Sequence, residues 1–262
     1  MQNRFYRGKC KKKTVYQTDG SPIGFYTAVF DANKDQTAYL TSEKERQTEL
    51  DERIVWVQSN DEKASRVVKK IRALDKTAPT ETDYILRTPF PDKEQVAFSY
   101  LRLLVQANAP VRGYLALPEI RKAMDYSHKT AHEKHIVSGF LRFHETENGI
   151  FYAPFQPDND ITELLMPHFF ERFKNTSFVI HDVGRKLAGL SDGKHWFLSP
   201  AGEAKILFSN AENGFLALWE KYYRTVAIAE RKNTRQMKGY MPVRYWKFMP
   251  EKIAEEEWLK AF

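Results

Sequence analysis

The hydrophobic period changes at Gly139, and that change constrains the fold more than any other feature of the chain. Upstream, apolar residues recur at helical spacing, as in Ala64, Val67, Val68, Ile71 and Leu74. Downstream, the apolar runs are short and rich in aromatic and β-branched residues. Phe140-Leu141-Arg142-Phe143 alternates, and Gly149 separates it from Ile150-Phe151-Tyr152-Ala153 in a hairpin pattern. Further strands are predicted at Phe178–Asp182, Lys186–Leu190 and His195–Leu198, with a turn at Asp192-Gly193. The predicted class is α+β: an antiparallel sheet over about 140–199 flanked by helices, with a mostly helical N-terminal region.

Local signals refine this outline. Residues 14–17 and 53–58 read as strands. Ser21-Pro22 reads as a helix start, with the hydroxyl as cap and proline at the first helical position. Asp61 opens a second helix, the three prolines between 77 and 91 predict an irregular connection, and 92–107 is an amphipathic helix. Residues 118–125 and 128–139 look like two helices separated by a turn. Helices are also expected from Asp160 to about Phe173 and from about Glu203 to Ala229, and the 251–259 tail predicts a short closing helix. The domain reading is a basic arm at 1–13 followed by a single domain at 14–262. Within that domain a helical subdomain at 14–125 and a basic segment at 221–250 are set apart.

Charge is placed unevenly. Between 221 and 250 eight Lys or Arg residues face one acid, Glu230, a local balance equal to the +7 of the whole chain. The first 13 residues hold six cations and no acid, so the remainder is net acidic. In the C-terminal stretch Arg231, Asn233, Arg235, Gln236, Arg244, Tyr245 and Trp246 interleave cations, amides and rings. Cations neutralise phosphates and rings stack on bases, so these seven are the candidate nucleic-acid contacts. The alternative is a solvated, lysine-rich tail.

Composition narrows the class. Hydrophobic residues make up 42% and aromatic residues 14%, enough for a core. The single cysteine, Cys10, excludes an intramolecular disulfide and any cysteine-only metal cluster. No apolar run of about 18 residues is present, and no apolar stretch follows the basic N-terminus as in a secretory signal. A cytoplasmic protein without a membrane span is the expectation.

Two groups of residues could carry chemistry. His128, His132 and His135 form a stripe on one helix face, but no fourth ligand is identifiable, so no bound metal and no cofactor are expected. His168 and Arg172 share a helix face at i, i+4, and His181-Asp182 ends a strand just before Arg185. In this arrangement His168, His181 and Asp182 are the candidate catalytic residues, with His181 as acid/base and Asp182 orienting it or activating a water. Arg142, Arg172 and Arg185 would hold a phosphate. This set suits phosphodiester or N-glycosidic chemistry, provided that it converges on one open cleft. A buried His–Asp–Arg network that locks the sheet is the structural alternative.

The order of motifs resembles a known family. Near the start stand Tyr16…Asp19-Gly20-Ser21…Gly24-Phe25…Thr27-Ala28-Val29-Phe30-Asp31. Glu133-Lys134-His135…Gly139-Phe140-Leu141-Arg142-Phe143 and Tyr152-Ala153-Pro154…Pro157-Asp158 follow. His168-Phe169…Arg172-Phe173, Ile180-His181-Asp182…Arg185 and Leu218-Trp219…Tyr222 come next. Ile228-Ala229…Arg231…Asn233…Gln236…Met241-Pro242…Arg244-Tyr245-Trp246 completes the series. Together they resemble a bacterial family known as domain of unknown function 4130, described as probable DNA metabolism or DNA repair proteins. The resemblance covers nearly the whole chain after residue 14. It departs at Ile136, where relatives often carry Arg, and at Asn233-Thr234-Arg235, where Asn-Pro is usual. Members are typically paired with a radical-SAM protein, and related domains are fused to uracil-DNA-glycosylase-like domains. The resemblance therefore implies DNA as substrate or ligand and a radical-SAM protein as partner. Two functions follow as expectations: a DNA-acting enzyme of repair or modification, or a non-catalytic DNA-binding adaptor that positions a partner enzyme.

Overall fold

A computed structural model describes residues 13–44, 51–202, 209, 214–215, 218–219, 221–222 and 234–252. The chain is mixed α/β and forms two compact units, Met1–Thr130 and Ala131–Phe262. Each unit has its own apolar core. Most of the basic arm, Arg231, Asn233 and most of the helix expected from Glu203 to Ala229 lie outside the described residues. Among the described residues no helix is long and apolar enough to cross a membrane.

The N-terminal unit is built on a sheet that its sequence only half announces. Strands β1 (Thr14–Gln17), β2 (Ala38–Thr41) and β3 (Arg53–Trp56) are all parallel, in the order β2-β1-β3. The region is mostly helical, as expected, and β1 and β3 fall where strands were expected, but β2 was not anticipated. Helix α1 (Pro22–Ala32) makes the crossover from β1 to β2, and Ser21 caps it by accepting from the Gly24 amide at 2.9 Å. Helix α2 (Asp61–Leu74) is capped one residue earlier than expected, by the Asn60 carbonyl oxygen on the Lys63 amide.

The 77–91 segment is not irregular. It holds α3 (Ala78–Leu86), which starts with Pro79 in its first turn and stops before Pro89. Proline is tolerated in a first turn because no helical N–H is lost there, so only the later prolines break the helix. Helix α4 (Lys93–Ala107) follows as expected. Helix α5 (Pro118–Phe140) is one continuous helix where two were expected. Its middle is pinned to α3: the Ser127 hydroxyl donates to Glu81, and Thr130 donates to the Tyr84 carbonyl at 2.8 Å.

In the C-terminal unit five strands lie in sequence order: β4 (His144–Glu145), β5 (Phe151–Phe155), β6 (Phe178–Asp182), β7 (Leu187–Ser191) and β8 (Trp196–Pro200). The sheet is mixed, not antiparallel. Strands β5 and β6 are parallel, and the other neighbours are antiparallel. The reason is α6 (Thr162–Phe173), a 12-residue crossover between β5 and β6. A helix that returns the chain to the same edge delivers the next strand parallel to the first. Phe140–Phe143 is not a strand, since Phe140 ends α5 and Phe143 turns into an aromatic cluster. Phe143 lies 5.0 Å from Phe169, 4.5 Å from Phe173 and 6.0 Å from Phe178 by ring centroids. These edge and tilted contacts seat α6 on the sheet. Helix α7 (Thr234–Tyr240) and a 3-10 helix at Val243–Phe248 complete the unit.

Candidate functional site

Strand β6 fixes where its side chains go. Phe178, Ile180 and Asp182 are buried, while Val179 and His181 alternate with them on the opposite face. Helix α6 packs on the Ile180 face. Gly189, paired with Ile180, leaves only the space that Met166 of α6 fills. His181 therefore points away from α6, and His168 on the exposed side of α6 does not approach it. His168 stands edge-on to Phe169 at 4.9 Å. The five residues expected in one cleft do not converge.

Asp182 is fully buried and committed to the β6–β7 turn. One carboxylate oxygen accepts from the Gly184 and Arg185 amides, both at 3.1 Å, and the other accepts from the Arg185 guanidinium at 2.9 Å. Arg185 also donates to the Pro157 carbonyl at 3.0 Å and to the Asp158 carbonyl, tying this turn to the β5–α6 loop. His181 Nδ1 is bonded to the Tyr152 hydroxyl at 2.7 Å, and its buried Nε2 has no hydrogen-bond partner. Burial lowers the His181 pKa below its ordinary value, and the Asp182 charge opposes this only in part. The histidine is thus biased toward the neutral form, with no carboxylate bonded to it.

A second polar centre was not anticipated. Glu133 of α5 is buried and takes donors from two segments, 158–159 and 244–245. The Asp158 amide reaches Oε1 at 2.9 Å, and the Asn159 amide and side chain reach Oε2 at 2.7 and 2.6 Å. Arg244 donates to Oε1 at 3.0 Å, as does the Tyr245 hydroxyl, and Arg244 also pairs with Asp158 at 3.0 Å. Burial pushes the Glu133 carboxyl up, but the bonds from Tyr245, Asp158 and Asn159 outweigh it and hold its pKa below the ordinary value. Of these two residues, both expected to face nucleic acid, Tyr245 is thereby buried, and Arg244 is half-exposed but bonded to Glu133 and Asp158. Trp246 donates to the Met241 carbonyl at 3.0 Å and packs against its own segment. Arg235 is exposed on α7, as is Gln236, which makes further contacts.

The two remaining arginines border one cavity of about 790 Å³, between the end of α5, the β4 edge and α6. Phe143, Phe151, Phe169, Phe173, Phe215 and Trp219 supply its walls. Arg142 is spent internally. It holds Glu251 through Nη2 at 2.6 Å and Nε at 3.2 Å, and lies 5.5 Å over the Trp219 ring. Trp219 donates to the other Glu251 oxygen at 3.2 Å. Burial raises the Glu251 pKa, but the Arg142 hydrogen bond and charge bring it below the ordinary value. Arg172 is different: exposed at the rim, it makes no hydrogen bond or ion pair with any described residue. Among the described residues no three His, Cys, Asp or Glu side chains come together to hold a metal, the 128/132/135 stripe included.

These features define an α/β protein with an aromatic cavity and a buried carboxylate node in its C-terminal unit. The chain belongs to the family described as domain of unknown function DUF4130, whose model matches residues 91–251. Nothing among the curated proteins matches it, and no solved structure does.

Proposed function

We propose that this chain is a DNA-acting protein of DNA repair or modification that serves as a binding adaptor, presenting nucleic acid to a radical-SAM partner. The observation that carries this reading is the cavity of about 790 Å³ with six aromatic walls and, at its rim, Arg172, which no described residue engages. Rings accept an unstacked base, and a free guanidinium accepts the phosphate beside it. The cation-rich 221–250 segment, with Arg235 and Lys238 exposed on α7, supports the same reading through its charge. The adaptor form is favoured over catalysis because Asp182 is consumed by its turn. Phosphodiester or N-glycosidic cleavage would have to rest on His181 without an orienting carboxylate.

The test is fluorescence anisotropy with single-stranded and duplex oligonucleotides. Single strands should bind more tightly, and Arg172→Ala should weaken that binding roughly tenfold, the worth of about one charge-assisted hydrogen bond. Equal affinity in the variant, or turnover of uracil-containing or otherwise modified DNA by the protein alone, would remove the adaptor reading.

A further inference from the structure

A second cavity, of about 520 Å³, lies in the N-terminal unit between α1, α2 and α4. Its floor is apolar, with Ile71, Phe98 and Leu101. Its rim is cationic, with Lys34, Arg66, Lys70 and Arg102 against a single acid, Asp31. That acid is already engaged, since Lys63 holds one of its oxygens at 2.6 Å. Lys34 and Lys70 make no ion pair or hydrogen bond with any described residue. Among the described residues Arg66 has only the Phe30 ring, 4.9 Å away. Arg102 lies 4.3 Å over Phe98 and reaches only the Asp35 carbonyl, at 3.4 Å, while its Nε is buried without an acceptor. Burial lowers the Arg102 pKa, and the nearby Asp35 charge offsets this only in part.

Around this half-enclosed cavity four cations face one acid among the lining residues, and Arg102 is the least solvated of them. An orphaned guanidinium N–H in such a place is a donor awaiting an acceptor. We propose that this cavity binds a small anionic ligand, a phosphate or carboxylate headgroup carried on an apolar or aromatic body. The headgroup meets Arg66, Lys70 and Arg102, and the body lies on Phe98 and Leu101. The volume falls within the range of ligand pockets and admits a body of mononucleotide size. The site is independent of the DNA reading, since every residue of it lies in the N-terminal unit.

The full chain is titrated with AMP, with octanoate and with inorganic phosphate, following both affinity and amide chemical shifts. AMP or octanoate should bind saturably, at least tenfold more tightly than inorganic phosphate, with shifts confined to α1, α2 and α4. Whichever of the two binds identifies the headgroup. Arg66→Gln with Lys70→Gln, both on the exposed side of α2, should weaken binding at least tenfold without changing the melting temperature. Absence of saturable binding by either probe up to about 10 mM, far weaker than a formed pocket gives, overturns the proposal. Shifts found only in the C-terminal unit, or equal affinity in the double variant, overturn it as well.

Discussion

Glu133 shows how a single residue can hold a segment that its own sequence presents as a ligand surface. Removing it would leave Tyr245 and the Asp158–Asn159 amides without their acceptor, while Arg244 would keep Asp158. Glu133→Ala should cost about 1–3 kcal/mol, the penalty of leaving buried donors unsatisfied. Tyr245→Phe should cost about 1.5–3 kcal/mol, one hydrogen bond to a charged group. The node also sets a pH dependence. Glu133 is depressed below its ordinary value of 4.5, so the unfolded chain takes up its proton first as pH falls. The stabilisation is full above that value and is lost as pH drops through the folded pKa. Urea titrations at neutral and acidic pH should show wild type losing this increment, while Glu133→Gln, already weaker, shows a flatter profile. Asp182→Asn belongs to the same scale. It would keep one oxygen for the two turn amides but lose the charge opposite Arg185, so the melting temperature should fall by several degrees. The sequence made Asp182 look catalytic because His-Asp-x-x-Arg reads alike in an active site and in an aspartate-capped turn. Only the strand alternation separates them, placing His181 and Asp182 on opposite faces. The role of Glu133 had a visible trace, since Glu133, Asp158, Arg244 and Tyr245 all fall in the motifs quoted for the family resemblance. Their meeting point needed the fold.

At the scale of elements, β5 and β6 were legible as five-residue runs rich in aromatic or β-branched residues, and β7 and β8 through the Asp192-Gly193 turn between them. The parallel β5–β6 pair was legible in principle. A helix of 12 residues between adjacent strands demands it, but the hairpin pattern before it drew the whole sheet toward antiparallel. Strand β2 was not anticipated, and helix α3 was missed because of prolines that lie in its first turn and beyond its end. The seat of α6 makes a prediction of its own. A Cβ added to Gly189 would lie 2.2 Å from the Met166 sulfur and 2.9 Å from its Cγ, so the methionine must move. Gly189→Ala should cost about 1–3 kcal/mol by overpacking. In a double-mutant cycle with Met166→Ala the two changes should be non-additive, each relieving part of the other. Additive costs would mean that α6 does not rest on that glycine.

For the whole molecule, the net charge of +7 and its placement at both ends argue for a polyanionic partner, but geometry divides the cations into two kinds. Arg244 is bonded to Glu133 and Asp158, and Arg142 to Glu251, so neither is available to release counterions from DNA. Arg235 and Lys238 are exposed on α7, and Arg172 is exposed at the aromatic cavity. Each cation that meets a phosphate contributes about 0.9 to the slope of log affinity against log salt on duplex and about 0.7 on single strands. Replacing Arg235 and Lys238 together with Ala should therefore weaken binding across sequences and reduce the slope by about 1.4–1.8. Arg244→Ala should act differently, lowering thermal stability through the Glu133 node while leaving the salt slope of the folded fraction nearly unchanged. Anisotropy titrations at several salt concentrations, paired with thermal melts of each variant, separate the two behaviours. If Arg244→Ala reduces the slope as much as a change on α7 does and leaves the melt untouched, then Arg244 leaves its buried partners when DNA arrives. The node would then open on binding and not act as a fixed lock.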